Sequence, residues 1–363
     1  MARKRRAFFT VKEMRELMDV NQFQNYVHMP NEIYSDFTRA FAELKEETDN
    51  GARSSHIAYA FGYTFLAHYM WRYARYYTWD NAKGSVPINE AIIKQVLGFP
   101  AKSEAYTWLT KNKTGFLEQI GYNNKVTDKP IAYYDDEDRI DLFFSMESEC
   151  GSPDKVNHKG WKVAMPVKGI WRKPEDKGKS TFETGTFHII DNTHMIDMDT
   201  FIYFITNPEL GVEGFYLYSF LKFMTDKFNN AFDCSNERMA RMTGLSLDTI
   251  KNQINNLERY NMITNDHKPY CLDKPKDKKC KANTYGIFEY DQFAKNLMQM
   301  NVIRKQVKIS KERYEREVGW ANEREIDGNI VDTDTGKIIR SVSKFSVGDI
   351  EDMDMDDLPF EFQ

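Results

Sequence analysis

Ser246, Asp248, Thr249, Lys251, Asn252 and Asn255 have the types and spacing to read a polar surface. They and Asn256 share one side of a helical period when Ile250, Ile254 and Leu257 take the other, at i, i+4 and i+7. An Asn amide donates and accepts together, which suits an adenine edge. A Lys reaches guanine or phosphate, and an Asp accepts from cytosine. The segment that follows holds Lys268, Lys274, Lys276, Lys278, Lys279 and Lys281 against Asp273 and Asp277. Such a basic excursion suits phosphate contact. Together these residues point to recognition of double-stranded DNA. The bland alternative is a helix pair used on proteins, with the lysines as a solvated loop.

A second, weaker set is Lys102, Thr107, Lys111 and Lys113, with Glu104 beside them. Tyr106 and Trp108, between them, are expected in the core. Arg3–Arg6 is either a phosphate-binding arm or a frayed terminus. At the other end, Asp354, Asp356, Asp357, Leu358, Pro359 and Phe360 combine acid with apolar anchors. That pattern suits a partner with a basic rim, or the basic surface of this same chain.

Catalytic sets are missing from the sequence. It has no Gly-rich phosphate loop and no HExxH. His188 and His194 lack a matched nucleophile. Asp135, Asp136, Glu137 and Asp138 form one acidic turn, whereas a two-metal nuclease needs carboxylates converging from separate elements. Cys150, Cys234, Cys271 and Cys280 make no CxxC, and His267 with Cys271 and Cys280 fits no common zinc spacing. The expectation is a non-enzyme with no cofactor and no metal, carrying free thiols in a reducing cytoplasm. No apolar run follows the basic start to form a leader. The most apolar stretch, Ile57–Trp71, is shorter than the roughly 20 residues a membrane span needs.

Helices must position these groups. Ser246 caps a helix expected over Leu247–Tyr260, and Ser235 caps one over Asn236–Thr243, with Gly244 as the tight turn between them. An apolar helix over Phe215–Phe228 precedes the pair. A strand begins at Asn261–Ile263 and another returns over Tyr285–Tyr290. Earlier, helices are expected over Val11–Val20, Phe37–Glu47, His56–Tyr77, Asn89–Leu97 and Glu104–Lys113. Two strands follow within Lys125–Ser145. Cys150–Lys179 reads as loop, Thr186–Ile190 as a strand, and Asp199–Thr206 as a short helix or strand. A helix is expected over Phe293–Glu317, and residues 327–363 have little periodicity and should be mobile.

The run from Cys234 to Leu257 resembles the helix-turn-helix of winged-helix DNA-binding proteins. Ala240 matches the small residue where the helices cross, Gly244 the turn, and Ser246–Thr249 the start of the recognition helix. Leu257 leads the exit through Tyr260-Asn261-Met262-Ile263 into the wing. Ile57–Ser145 repeats the order more loosely. The pair is similar to plasmid and phage replication initiators, which grip origin DNA with tandem winged helices and recruit a helicase, its loader or a primase. Asp354–Phe360 is similar to the acidic tip of bacterial single-stranded DNA-binding proteins. There the Phe is the terminal residue; here Glu361-Phe362-Gln363 follow it. A transcriptional regulator of a mobile element with the same grip is the runner-up, and a protein-interaction scaffold the third reading. A homodimer is left open.

Composition sets the frame. Of 363 residues, 41% are hydrophobic and 29% charged, an ordinary globular balance with room for about two domains. The net charge of −5 hides a division. Asp349–Gln363 holds seven acids and no base, and without them the remainder is +2. The expected fold is mainly α with small β hairpins (α+β), built from tandem winged helix-turn-helix modules with a flexible acidic tail. The expected divisions are a helical arm (1–53), a first winged helix (54–148), an α/β connection (149–212), a second winged helix (213–291), a helical extension (292–326) and the tail (327–363).

Overall fold

The computed structural model describes residues 7–21, 25–47, 53–80, 84–135, 142–149, 161–168, 192–276, 279–321, 323–326, 329–332 and 338–341. After α1 (Val11–Leu17) the chain runs β1 (Tyr26–Pro30), α2 (Ile33–Glu47) and α3 (Ser54–Arg72). Next come β2 (Tyr77–Asp80), β3 (Gly84–Pro87), α4 (Glu90–Val96), α5 (Thr107–Thr110), α6 (Phe116–Gln119), β4 (Asn123–Val126), β5 (Pro130–Asp135), β6 (Leu142–Met146) and β7 (Val163–Pro166). The second half opens with β8 (Thr193–Asp197), α7 (Met198–Thr206) and α8 (Gly211–Lys227). It continues with β9 (Phe232–Cys234), α9 (Asn236–Thr243), α10 (Leu247–Arg259), β10 (Ile263–Asp266) and β11 (Asn283–Ile287). Then come α11 (Lys311–Glu317) and β12 (Glu323–Ile326), β13 (Asn329–Asp332) and β14 (Ile338–Ser341). The result is α+β, with helices and small antiparallel sheets.

Two helices form the axis. Every residue of α3 from Ile57 to Trp71 is buried, and α8 is buried over most of its length. A helix apolar on all sides must be enclosed by others. Here α3 and α8 pack on each other through aromatic rings: Phe61 and Phe65 lie 5.6 and 5.0 Å from Phe215, and Phe65 lies 5.0 Å from Phe201 of α7. Buried tyrosines use their hydroxyls as pins, since a Tyr buried in apolar surroundings still needs a partner. Tyr69 donates to Met18 O, Tyr76 to Ala164 O, Tyr216 to Thr243 O and Tyr218 to Phe288 O, at 2.8 to 3.0 Å. One contiguous core links both halves. No described helix is long and apolar enough to cross a membrane.

The halves repeat an order. Strand, helix, helix (β1, α2, α3) recurs as β8, α7, α8, and β1 pairs antiparallel with β8 from Tyr26↔Asp197 to Pro30↔Thr193. Several helices end on the same left-handed turn, α1, α3 and α4 as well as α6 and α10. In the last two, the N–H of Tyr122 donates to Leu117 O and that of Met262 to Leu257 O, both at 2.9 Å. A left-handed residue sits just before each donor, Gly121 at φ 73 and Asn261 at φ 54. A strand follows each of these two turns, β4 or β10.

Several expectations are corrected. The helix expected over Glu104–Lys113 is helical only over the single turn α5, and Lys113 is left-handed at φ 63; α6 is a separate single turn after Gly115. The helix expected over Phe293–Glu317 is helical only over Lys311–Glu317 apart from a single tight turn, Leu297–Gln299. Asn296 caps that turn, and the β-branched run from Val302 to Ile309 favours an extended chain. The long helix His56–Tyr77 ends at Arg72, and β2 pairs with β3 beyond it. β5 and β6 form the expected hairpin, but β4 pairs with β7, which lies inside the stretch read as loop. β12, in the expected helical extension, pairs with β13, and β13 with β14, where residues 327–363 showed little periodicity. Asp199–Thr206 is helical, within α7. The strand expected over Thr186–Ile190 lies outside the described residues.

Candidate nucleic-acid interface

α9 and α10 meet at a tight corner. Ser235 accepts from Arg238 N and Ser246 from Thr249 N, so each helix starts on a side-chain cap. Between them Gly244 adopts φ 67, a left-handed conformation that ends α9 cheaply only for a residue without Cβ. Leu245 buries in the corner, and the N–H of Ser246 donates to Ser54 Oγ at the start of α3 (2.7 Å). The corner is therefore held by the central helix.

Ile250, Ile254 and Leu257 of α10 face the core, as the spacing predicts. Ser246, Asp248, Lys251, Asn252 and Asn255 are exposed, and Thr249 is half-buried with its hydroxyl 2.8 Å from that of Ser246. Asn256 is a correction. Its amide donates to Glu209 O (2.7 Å), and neighbouring Gln253 donates to Leu210 O (3.2 Å), so both fasten α10 to the start of α8. The outer face that remains is one acid, one base, two amides and two hydroxyls.

A three-stranded antiparallel sheet flanks α10, in the order β10-β11-β9. The pairing of β10 with β11 runs from Ile263↔Ile287 to Asp266↔Thr284. β9 is three residues long and leaves no sequence signal of its own. At the base of the excursion, Glu258 of α10 takes His267 Nε2 (2.9 Å) and Asn265 Nδ2 (3.1 Å), and Lys268 is held by Asp266. Lys274, Lys276, Lys279 and Lys281 are exposed; Lys278 lies outside the described residues.

Sequence reasoning missed the support beneath this excursion. Cys271, Ile309 and Tyr314 form a separate small core, closed by Cys280, Val318 and Trp320. Tyr270 pairs with the segment at Lys308, donating to Val307 O and accepting from Ile309 N (3.0 and 3.1 Å). Lys281 N donates to the Tyr314 hydroxyl (2.7 Å) and Ala321 N to Lys279 O (2.9 Å). The signal was there in the isolated aromatic pair Tyr314 and Trp320 within an otherwise polar stretch. Cys271 and Cys280 serve this packing, and no group of three or more His, Cys, Asp or Glu that could hold a metal occurs among the described residues.

The weaker set is placed differently. Lys102, Thr107, Lys111 and Lys113 are all exposed, but they do not share one helix. Thr107 Oγ1 also accepts from the buried Lys94 (3.1 Å). Tyr106 is buried and Trp108 packs on the core, as expected. Arg3–Arg6, Asp136–Asp138, and Asp354, Asp356, Asp357, Leu358, Pro359 and Phe360 lie outside the described residues. No family model, no curated protein and no solved structure matches the chain.

Proposed function

We propose that the chain binds double-stranded DNA sequence-specifically and serves as a replication initiator of the phage or plasmid kind. The observation that carries this is the outer face of α10. Lys251, Asn252 and Asn255 stand exposed on a helix locked at its capped start, beside an exposed run of lysines. A B-form major groove is about 12 Å wide and admits one α-helix. With α10 in that groove, the amides and Lys251 meet base edges, and Lys274, Lys276, Lys279 and Lys281 meet flanking phosphates. We read 213–291 as a winged helix, with β10, β11 and their excursion as the wing. The recurring order of strand, helix and helix (β1, α2, α3 and β8, α7, α8) supports a tandem, degenerate partner in the first half. Its broken α5 and α6 suit backbone contact better than base readout. The acidic stretch Asp354–Phe360 is the part that recruits helicase, loader or primase.

The test is selection of a bound sequence from random duplexes with the full chain, followed by titration at several salt concentrations. A preferred site, and affinity falling steeply with salt, are expected. The triple variant K251A/N252A/N255A should keep its fold and lose the preference. Equal affinity for every duplex, or a binding constant flat in salt, overturns the reading. Ending the chain at Gly348 should abolish capture of replication proteins while leaving the preferred site unchanged.

A further inference from the structure

Past the sheet, the chain returns beside the end of α10 and the lysine excursion. Asn301–Ser310 holds Arg304, Lys305 and Lys308 and no acid. All three are exposed, and none of their side chains has an ion pair or hydrogen bond among the described residues. Elsewhere the described surface pairs many of its cations, as with Lys222 and Glu289, or Arg313 and Glu317. Three unpaired cations in five residues, with no compensating carboxylate on the segment, form a local positive field.

The segment is fixed at both ends to the parts already assigned to DNA. At its start, Asn301 N donates to Arg259 O (2.8 Å), and its amide donates to Glu258 O and Asn261 Oδ1 (3.1 and 3.0 Å), so it is tied to the last turn of α10. In the middle, Gln306 donates to Lys268 O (2.8 Å) and Asn283 Oδ1 (3.0 Å). At its end, the pairing with Tyr270 and the small core around Ile309 and Tyr314 fasten it under the lysine excursion. It is a strap joining the end of the recognition helix to the wing.

We infer that Arg304, Lys305 and Lys308 are a DNA-phosphate contact, a third element that grips the duplex backbone with α10 and the wing. The inference rests on the DNA-binding reading above and extends it to a part of the chain outside the helix-turn-helix. A charge held on a strap that is bonded to its neighbours at three places loses little freedom on binding, so its contact is not spent on ordering the segment. The guanidinium and ammonium groups reach phosphate oxygens and carry no base information, so the strap sets affinity and register.

Duplex binding of the full chain, measured against salt, tests this. R304A/K305A/K308A should weaken binding to preferred and random duplexes by the same factor. It should also lower the slope of log Kobs on log salt by about 0.9 for each phosphate the strap no longer neutralises, roughly two to three in all. R304K/K305R/K308R should restore the slope. K12A/K45A, which removes two exposed lysines on other elements, should leave the slope close to that of the parent. If the parent chain binds duplex DNA with a salt slope that R304A/K305A/K308A does not change, the strap inference is overturned and the DNA-binding reading stands. A parent chain that does not bind duplex DNA overturns both. Loss of site preference in the strap variant, at an unchanged slope, also overturns the phosphate assignment.

Discussion

Asn255 and Asn256 are adjacent, chemically identical, and placed in opposite roles. The helical period puts both on the outer side of α10, yet Asn256 spends its amide on Glu209 O. A hydrogen bond of that kind contributes about 0.5–1.5 kcal/mol net. N256A is therefore expected to lower folding stability by about 1 kcal/mol. N255A should leave stability unchanged and weaken binding to the preferred duplex. Chemical denaturation and anisotropy titration of the two variants separate these effects, and an equal stability loss in both would refute the assignment. At this scale the sequence was informative wherever a residue type has one dominant use. Gly244, Ser235 and Ser246 sit as turn and caps where their chemistry demands. Asn has several uses, and which one it takes depends on what lies opposite. The start of α8 against α10 is a tertiary contact that no local period encodes.

Among elements, helices with a single apolar stripe were the legible ones: α9 and α10 fall where their caps and spacing put them. Short strands outside the hairpins were not. β1, β7, β8 and β9 run three to five residues each, and β1 pairs with β8 across more than 160 residues of sequence. The helix expected over Glu104–Lys113 failed for a different reason. Periodicity runs on through Tyr106, Leu109 and Thr110, but the chain turns back at Lys111–Gly115 so tightly that a Cβ on Gly115 would lie 2.3 Å from Lys111 O. That neighbour is backbone and cannot swing away. G115A is therefore expected to destabilise the fold by about 1–3 kcal/mol, the usual range for overpacking. A thermal melt of the full chain checks it. A variant as stable as the parent would mean that the turn can open into the continuous helix the sequence suggests.

For the whole molecule, the seam between the halves is where histidines collect, His68 and His194 buried and His28 half-buried. His28 on β1 and His194 on β8 sit one register step apart, and His68 lies in α3. With Nδ1 donating to Asn31 Oδ1 (3.1 Å), His194 Nε2 accepts from the Tyr34 hydroxyl (2.8 Å), so the ring is satisfied while neutral. Burial holds His68 and His194 down to about 3, helped by His28 and Arg72 for the first and by Lys222, His28 and Lys227 for the second. His28 falls to about 4 through burial and then Arg72. All three are depressed below the ordinary 6.5, so the unfolded chain takes up protons first as pH falls. Their contribution is intact above pH 6.5 and is lost progressively toward pH 3 to 4. Asp197 and Asp226 are raised by burial and act in the opposite sense, so the histidines are followed from about pH 6.5 to 5.5, where an ordinary imidazole charges. Over that interval each should cost about 1 kcal/mol, roughly 3 in total, in the free energy of unfolding by denaturant. H194Q, whose amide can still accept from Tyr34, should reduce the loss over that interval by about 1 kcal/mol; His56 is a further histidine lowered by burial and then Arg53. A free energy of unfolding flat between about pH 7.5 and 5.5 would defeat the account.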